Sequence, residues 1–166
     1  MTPFEIAGTL LACLETVYTD EAGTPAQFCH RPGAEALLDF GVGKNDCCNG
    51  LGWVRIAEIA PVVDPLDAEQ PDWNPCDITA RRVTIELGVA RCNPTTATCE
   101  TWAQLAAQLD IDVQHMRQAV CCLDSEITGG SVYRVLPGTW TPMDSSGGCA
   151  GGSMPVTVWI DCEEGC

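Results

Sequence analysis

The sequence predicts an α+β domain, an antiparallel sheet of about four strands packed by two main helices in the order α-β-β-α-β-β. Three observations carry that reading. Residues 2–18 and 98–123 repeat apolar side chains every three or four positions. Residues 51–60, 80–91, 131–137 and 154–161 are apolar or alternate between apolar and polar. The 166 residues fit one domain of about 100–200 residues, with no internal repeat and no coiled-coil heptad. Residues 1–166 are therefore read as a single domain.

The first helix starts at a capping box. Thr2 and Glu5 have the required spacing, and Pro3 sits where a missing N–H costs nothing. Phe4, Ala7, Leu11, Leu14 and Tyr18 form its apolar stripe, widened by Leu10 and Val17. Residues 20–50 read as mixed turns and loop, with a short helix or irregular packed segment over Ala34–Phe40. The strand over 51–60 is closed by Pro61. Prolines 61, 65, 71 and 75 then interrupt any ladder or helix, which makes 61–77 a long excursion.

The strand over 80–91 puts Val83, Ile85, Leu87 and Val89 on one face and Arg82, Thr84, Glu86 and Gly88 on the other. In the long helix, Trp102, Leu105, Leu109, Val113, Met116, Val120 and Leu123 form a stripe, with room for a break near Asp110-Ile111-Asp112. The strand 131–137 follows, extended irregularly by Trp140 and Pro142. Residues 144–153 read as a Gly/Ser loop, and Val156, Val158 and Ile160 form the inner face of the last strand.

Charge narrows the function. Eight basic against 23 acidic residues give a net charge of −15. Duplex affinity comes mainly from Lys and Arg on phosphates, so a phosphate-binding surface is not expected. An anionic membrane surface is disfavoured for the same reason. No segment approaches the roughly 20 apolar residues that span a bilayer. Leu10-Leu11-Ala12-Cys13 resembles a lipoprotein box, but the first basic residue is Arg31, so a secretion signal is not expected either.

Twelve cysteines are present. Structural zinc sites usually show two Cys-x₂₋₄-Cys pairs. Here the closest cysteines are adjacent, Cys47-Cys48 and Cys121-Cys122, followed by Cys162/Cys166 and Cys92/Cys99, so no metal is expected. Neighbouring cysteines rarely bridge each other, so each should find a distant partner. Candidates for disulfides are Cys47, Cys48, Cys92, Cys99, Cys121, Cys122, Cys149 and Cys162. Cys121 and Cys122 are expected to tie the long helix to loops on either side. Cys29-His30 are sequence neighbours without an orienting third group, and there is no Gly-x-Ser-x-Gly, P-loop or Gly-x-Gly-x-x-Gly motif. Neither an enzyme nor a cofactor is expected.

Certain phrases carry a resemblance. Cys47-Cys48-Asn49-Gly50 precedes Gly52-Trp53-Val54-Arg55. The proline-rich excursion leads to Arg82-Val83-Thr84-Ile85-Glu86-Leu87-Gly88-Val89-Ala90-Arg91-Cys92. After the long helix come Tyr133-Arg134-Val135-Leu136-Pro137-Gly138-Thr139-Trp140-Thr141-Pro142, then Gly147-Gly148-Cys149-Ala150-Gly151-Gly152-Ser153, and the chain's last strand is Val156-Thr157-Val158-Trp159-Ile160. Over nearly its whole length the chain resembles the head-to-tail connector proteins of tailed bacteriophages that infect actinobacteria, and most of all the tail terminators. Its cysteine density departs from that fold.

The resemblance implies a homo-oligomer, a six-fold ring at the tail–neck boundary of the virion, assembled in the host cytoplasm. Its partners would be the tail tube protein and the neck or connector proteins. Genome DNA would pass through without specific binding. Six copies carry −90, and an acidic lumen repels phosphates. The excursion would supply an arm to a neighbouring subunit or the tail tube, through Asp64, Asp67, Glu69, Asp72 and the anchor Trp73. Another neck or minor tail protein of the same particle is the nearest alternative. A disulfide-rich binding module is the alternative from another class.

Overall fold

The computed structural model describes residues 1–18, 23–31, 46–62, 78, 80–93, 98–127, 131–146 and 148–161, without the side chains of residues 46, 48, 133 and 144–146. These form an α+β fold of two helices and a six-stranded sheet. In chain order the elements are α1 (Pro3–Val17), β1 (Gln27–His30), a 3₁₀ turn (Asp46–Asn49), β2 (Leu51–Val62) and β3 (Ala80–Cys92). Then come α2 (Cys99–Ile127), β4 (Val132–Pro137), β5 (Thr141–Ser146) and β6 (Cys149–Asp161). The proposed segment at Ala34–Phe40 and residues 63–77 of the excursion lie outside the described residues.

The strands run in the order β1-β2-β3-β6-β4, with β5 also paired to β6. β2–β3, β3–β6, β4–β6 and β5–β6 are antiparallel, and β1–β2 is parallel. The sheet is thus mixed and has six strands rather than about four. β1 was hidden because four residues are too few to show a period of two. β5 was hidden because Thr141-Pro142-Met143-Asp144-Ser145-Ser146 has almost no strand propensity, and pairing with β6 overrides it. Pro137 and Pro142 sit on strands with β6 on one side only, where a missing donor is tolerated.

The start of β6 corrects the reading of 144–153 as loop. Gly151 and Gly152 are in the strand, paired with Ala90 and Val89. A Cβ on Gly152 would lie 2.2 Å from the Trp140 ring, so the ring rests directly on backbone. Trp53 rests on Gly88 in the same manner, with 2.3 Å to a hypothetical Cβ. The glycines that suggested a loop are sites of close packing inside a strand.

The core lies between the helices and one sheet face. It takes Val83, Ile85, Leu87 and Val89 from β3, and Val156, Val158 and Ile160 from β6, as the alternation predicts. α1 opens with the expected capping box. The Thr2 amide donates to Glu5 Oε2 at 2.6 Å, and the Glu5 amide donates to Thr2 Oγ1 at 3.2 Å. Its buried stripe is Ile6, Ala7, Leu10, Cys13 and Leu14, with Tyr18 buried at its end; Ala7, Leu10, Leu14 and Tyr18 are as expected, while Phe4 is left in solvent at 65% exposure. α2 runs unbroken through Asp110-Ile111-Asp112. It buries Met116, Ala119, Val120, Leu123 and Ile127, but none of residues 99–111.

A second, smaller core of Cys47, Leu51, Trp53, Ala90 and Cys149 holds the 3₁₀ turn against the ends of β2, β3 and β6.

Candidate subunit interface

The disulfides are the first functional expectation that the structure addresses. Cys13 bonds Cys122 and Cys47 bonds Cys149, across 109 and 102 residues of sequence. Cys92 is also disulfide-bonded. Adjacent cysteines take different fates, as expected for Cys121 and Cys122, but the detail differs. Cys122 clasps α1 rather than a loop, because α1 lies antiparallel beside α2 with Cys13 facing it. Cys121, one residue round the helix, is exposed and free, and so is Cys99 at the start of α2. Those two are corrections to the candidate disulfide set. Asp64, Asp67, Glu69, Asp72, Trp73 and Cys162 lie outside the described residues, and so does the side chain of Cys48.

Among the described residues no three His, Cys, Asp or Glu side chains gather in a metal-binding cluster. Cys29 has its thiol pushed up by burial, with the Arg31 charge opposing in part. An activated nucleophile needs the opposite shift. Its neighbour His30 packs its ring on Phe4, 4.9 Å between centroids. No helix of the described residues is long and apolar enough to cross a membrane.

A buried polar network joins both helices to the sheet. Asp112 sits on the inner side of α2 and is 1% exposed. Arg91, near the end of β3, holds it by two bonds, Nε to Oδ2 at 2.9 Å and Nη2 to Oδ1 at 2.5 Å. Arg91 Nη1 also donates to the Gly23 carbonyl at 2.6 Å, and the Tyr18 hydroxyl donates to Asp112 Oδ1 at 2.8 Å. His115 packs edge-on against the Tyr18 ring at 4.4 Å. Burial pushes the Tyr18 phenol above its ordinary range, and the Asp112 carboxylate adds to that while Arg91 opposes it. Burial alone would lower the Arg91 guanidinium, but its bonds to Asp112 and that charge outweigh the burial and raise it.

The Tyr18 shift has a testable sign. The folded state holds the phenolic proton more tightly than the unfolded state. The stabilisation is fully present below the unfolded value near 10 and is lost as pH rises beyond it. With free thiols alkylated, the stability of the unmodified sequence should fall above about pH 10. Tyr18→Phe should fall less steeply over that range, although its neutral-pH stability is lower by roughly 1.5–3 kcal/mol for the lost bond to a charged group. Urea titrations at several pH values measure both slopes, and equal slopes would show that Tyr18 does not carry the shift.

The surface presents two apolar features. Phe4 stands out of the first turn of α1, beside His30 at the end of β1. The other is the first half of α2, in which no residue is buried although Gln108 lies against Gly23. Thirteen residues at 1.5 Å each give this half about 20 Å of length. Trp102 on it is 50% exposed, and Leu105 and Leu109 are half-buried. Below it, toward the β4–β5 connection, lies a cavity of about 620 Å³. Leu109, Val113, Arg117 and Trp140 are among its walls. The face of the sheet away from the helices carries the small second core at one end and polar groups beyond it. There Arg55 pairs with Glu86, which also accepts from Ser153 Oγ at 2.6 Å, and Arg134 lies over the Trp159 ring at 5.2 Å.

Sequence reasoning found neither the network nor the exposure of Phe4. The signal for the network was Asp112 inside the apolar stripe of a long helix, a carboxylate that must find a cation if the helix does not break. No family model matches the chain, and no curated protein matches it.

Proposed function

We propose that the chain is a structural subunit of a head-to-tail ring in a tailed-phage neck, most specifically a tail terminator that caps the tail tube and joins it to the connector. The observation that carries this reading is a pair of unlike exposed apolar features, Phe4 on α1 and the first half of α2. Two unlike features that cover one another favour heterologous contacts, and heterologous contacts that close make rings. The resemblance of the sequence phrases to tail terminators supplies the six-fold order and the place in the virion. The acidic charge suits a channel that DNA traverses without sticking. The disulfides suit a particle that is assembled in a cytoplasm and then works outside it. On this reading the chain performs no chemistry and needs no cofactor.

The test is direct. Images and native mass spectra of the purified chain should show closed rings of six. Leu105→Glu with Leu109→Glu should abolish them and leave a folded monomer, since neither side chain belongs to the core and surface changes shift stability by only about 0.5 kcal/mol. A chain that stays monomeric at every concentration, or that forms a two-fold dimer, would end the ring reading.

A further inference from the structure

We infer that Phe4 of one subunit seats in the cavity between α2 and the β4–β5 connection of the next, with Glu5 set against Arg117. This rests on the ring reading and names its lateral contact. Phe4 is the most exposed of the large apolar side chains among the described residues, at 65%. It is also held in place, because its helix turn is fixed by the Thr2–Glu5 capping box and its ring packs on His30. An aromatic group already ordered before binding loses little freedom on docking and is the usual anchor of an interface.

The cavity offers what such an anchor needs. Leu109, Val113 and Trp140 supply an apolar lining, and about 620 Å³ exceeds one aromatic ring. The charges match as well. Arg117 is exposed on the cavity wall and has no ion pair among the described residues. Glu5, the residue after Phe4, is held below the ordinary carboxylate range by its hydrogen bonds with Thr2, so it stays an anion. Asp110, which accepts from Gln114 at 3.2 Å, is the other charged residue of the lining, seven residues from Arg117.

The two features cannot satisfy each other within one chain. Phe4 packs on His30, and the Met1 ammonium close to it donates to Ser131 Oγ at 3.4 Å, beyond the end of α2. The cavity draws on α2 no further than Arg117, about 15 Å short of Ile127 at that end. A second copy of the chain closes that gap, and repeating the contact carries the assembly onward.

The experiment places a photo-crosslinking benzoylphenylalanine at position 4 of the full chain and mixes heavy-isotope-labelled with unlabelled protein before irradiation. Crosslinks between copies to residues 106–117 or 138–140 are the expected result. Crosslinks between copies to other segments only would overturn this contact and leave the ring standing. No crosslinks between copies, together with a monomeric mass, would remove both. As an independent arm, Phe4→Ala should weaken association roughly 30-fold. Glu5→Gln, which keeps the capping box, and Arg117→Met should each weaken it, and the double variant should be little weaker than the worse single. Losses that simply add would overturn the Glu5–Arg117 pairing.

Discussion

Replacing Arg91 with methionine should lower the stability of the fold by about 3–5 kcal/mol. The substitution keeps most of the aliphatic stem and removes the charge. Asp112, 1% exposed, would then lose its cation and keep only the Tyr18 hydroxyl and the more distant Gln108 amide, 3.4 Å away, as donors on its own and neighbouring elements. Two bonds from Arg91 to the carboxylate and a third to Gly23 vanish together. For a domain whose total stability is roughly 5–15 kcal/mol, the loss is a large share. The companion Arg91→Met with Asp112→Leu removes both charges, and an apolar replacement of a buried pair is often neutral. That double variant should regain most of the loss, short of about 1–3 kcal/mol for the Tyr18 hydroxyl left without its acceptor. Urea denaturation of the three proteins decides the matter. A single variant that loses less than 1 kcal/mol would show that water reaches Asp112 and screens it.

The network also marks the limit of what pattern alone conveys. Strand positions at Val83, Ile85, Leu87 and Val89 were legible, because alternation with Arg82, Thr84 and Glu86 leaves one choice of inner face. The capping box at Thr2 and Glu5 was legible for a similar reason, since both partners lie within one turn. Helix faces were less secure. The stripe of α1 was read correctly at Ala7, Leu10, Leu14 and Tyr18, but Ile6 and Cys13 were missed and Phe4, which fits the period, stands in solvent because it precedes the packed turns. The stripe of α2 has the right phase, but Trp102 is half exposed, Leu105 and Leu109 are only half-buried, and full burial of the stripe starts at Met116.

The least legible region was 144–153. Glycine and serine there suggested loop. Their reason lies in tertiary contacts, with Trp140 lying on Gly152 and Val89 opposite. Of the candidate site, Cys47, Cys122 and Cys149 form bonds whose existence was expected and whose pairing was not. Pairing depends on which elements become neighbours, and twelve cysteines leave that undetermined.

Removing the Cys47–Cys149 bond should destabilise the protein more than removing Cys13–Cys122, although their loops are nearly the same length. The separations of 102 and 109 residues each correspond to about 4–5 kcal/mol in the chain-entropy account of crosslinks. The difference arises in the folded state. Cys13 and Cys122 join helices that already share a core through Leu10, Leu14, Ala119 and Leu123, so α1 stays docked when the bond is absent. Cys47 and Cys149 are themselves two of the five buried residues of the small second core. Losing their bond frees the 3₁₀ turn and lets water toward Trp53, which is otherwise fully buried. Serine or alanine pairs are the right probes, because a reductant would also open the bond at Cys92. Cys13→Ala with Cys122→Ala should lower the urea midpoint with little change in Trp fluorescence below the transition. Cys47→Ala with Cys149→Ala should lower it further and shift Trp emission to longer wavelength before global unfolding. If the helix pair proved the costlier one to lose, the docking of α1 would depend on its crosslink rather than on its apolar stripe.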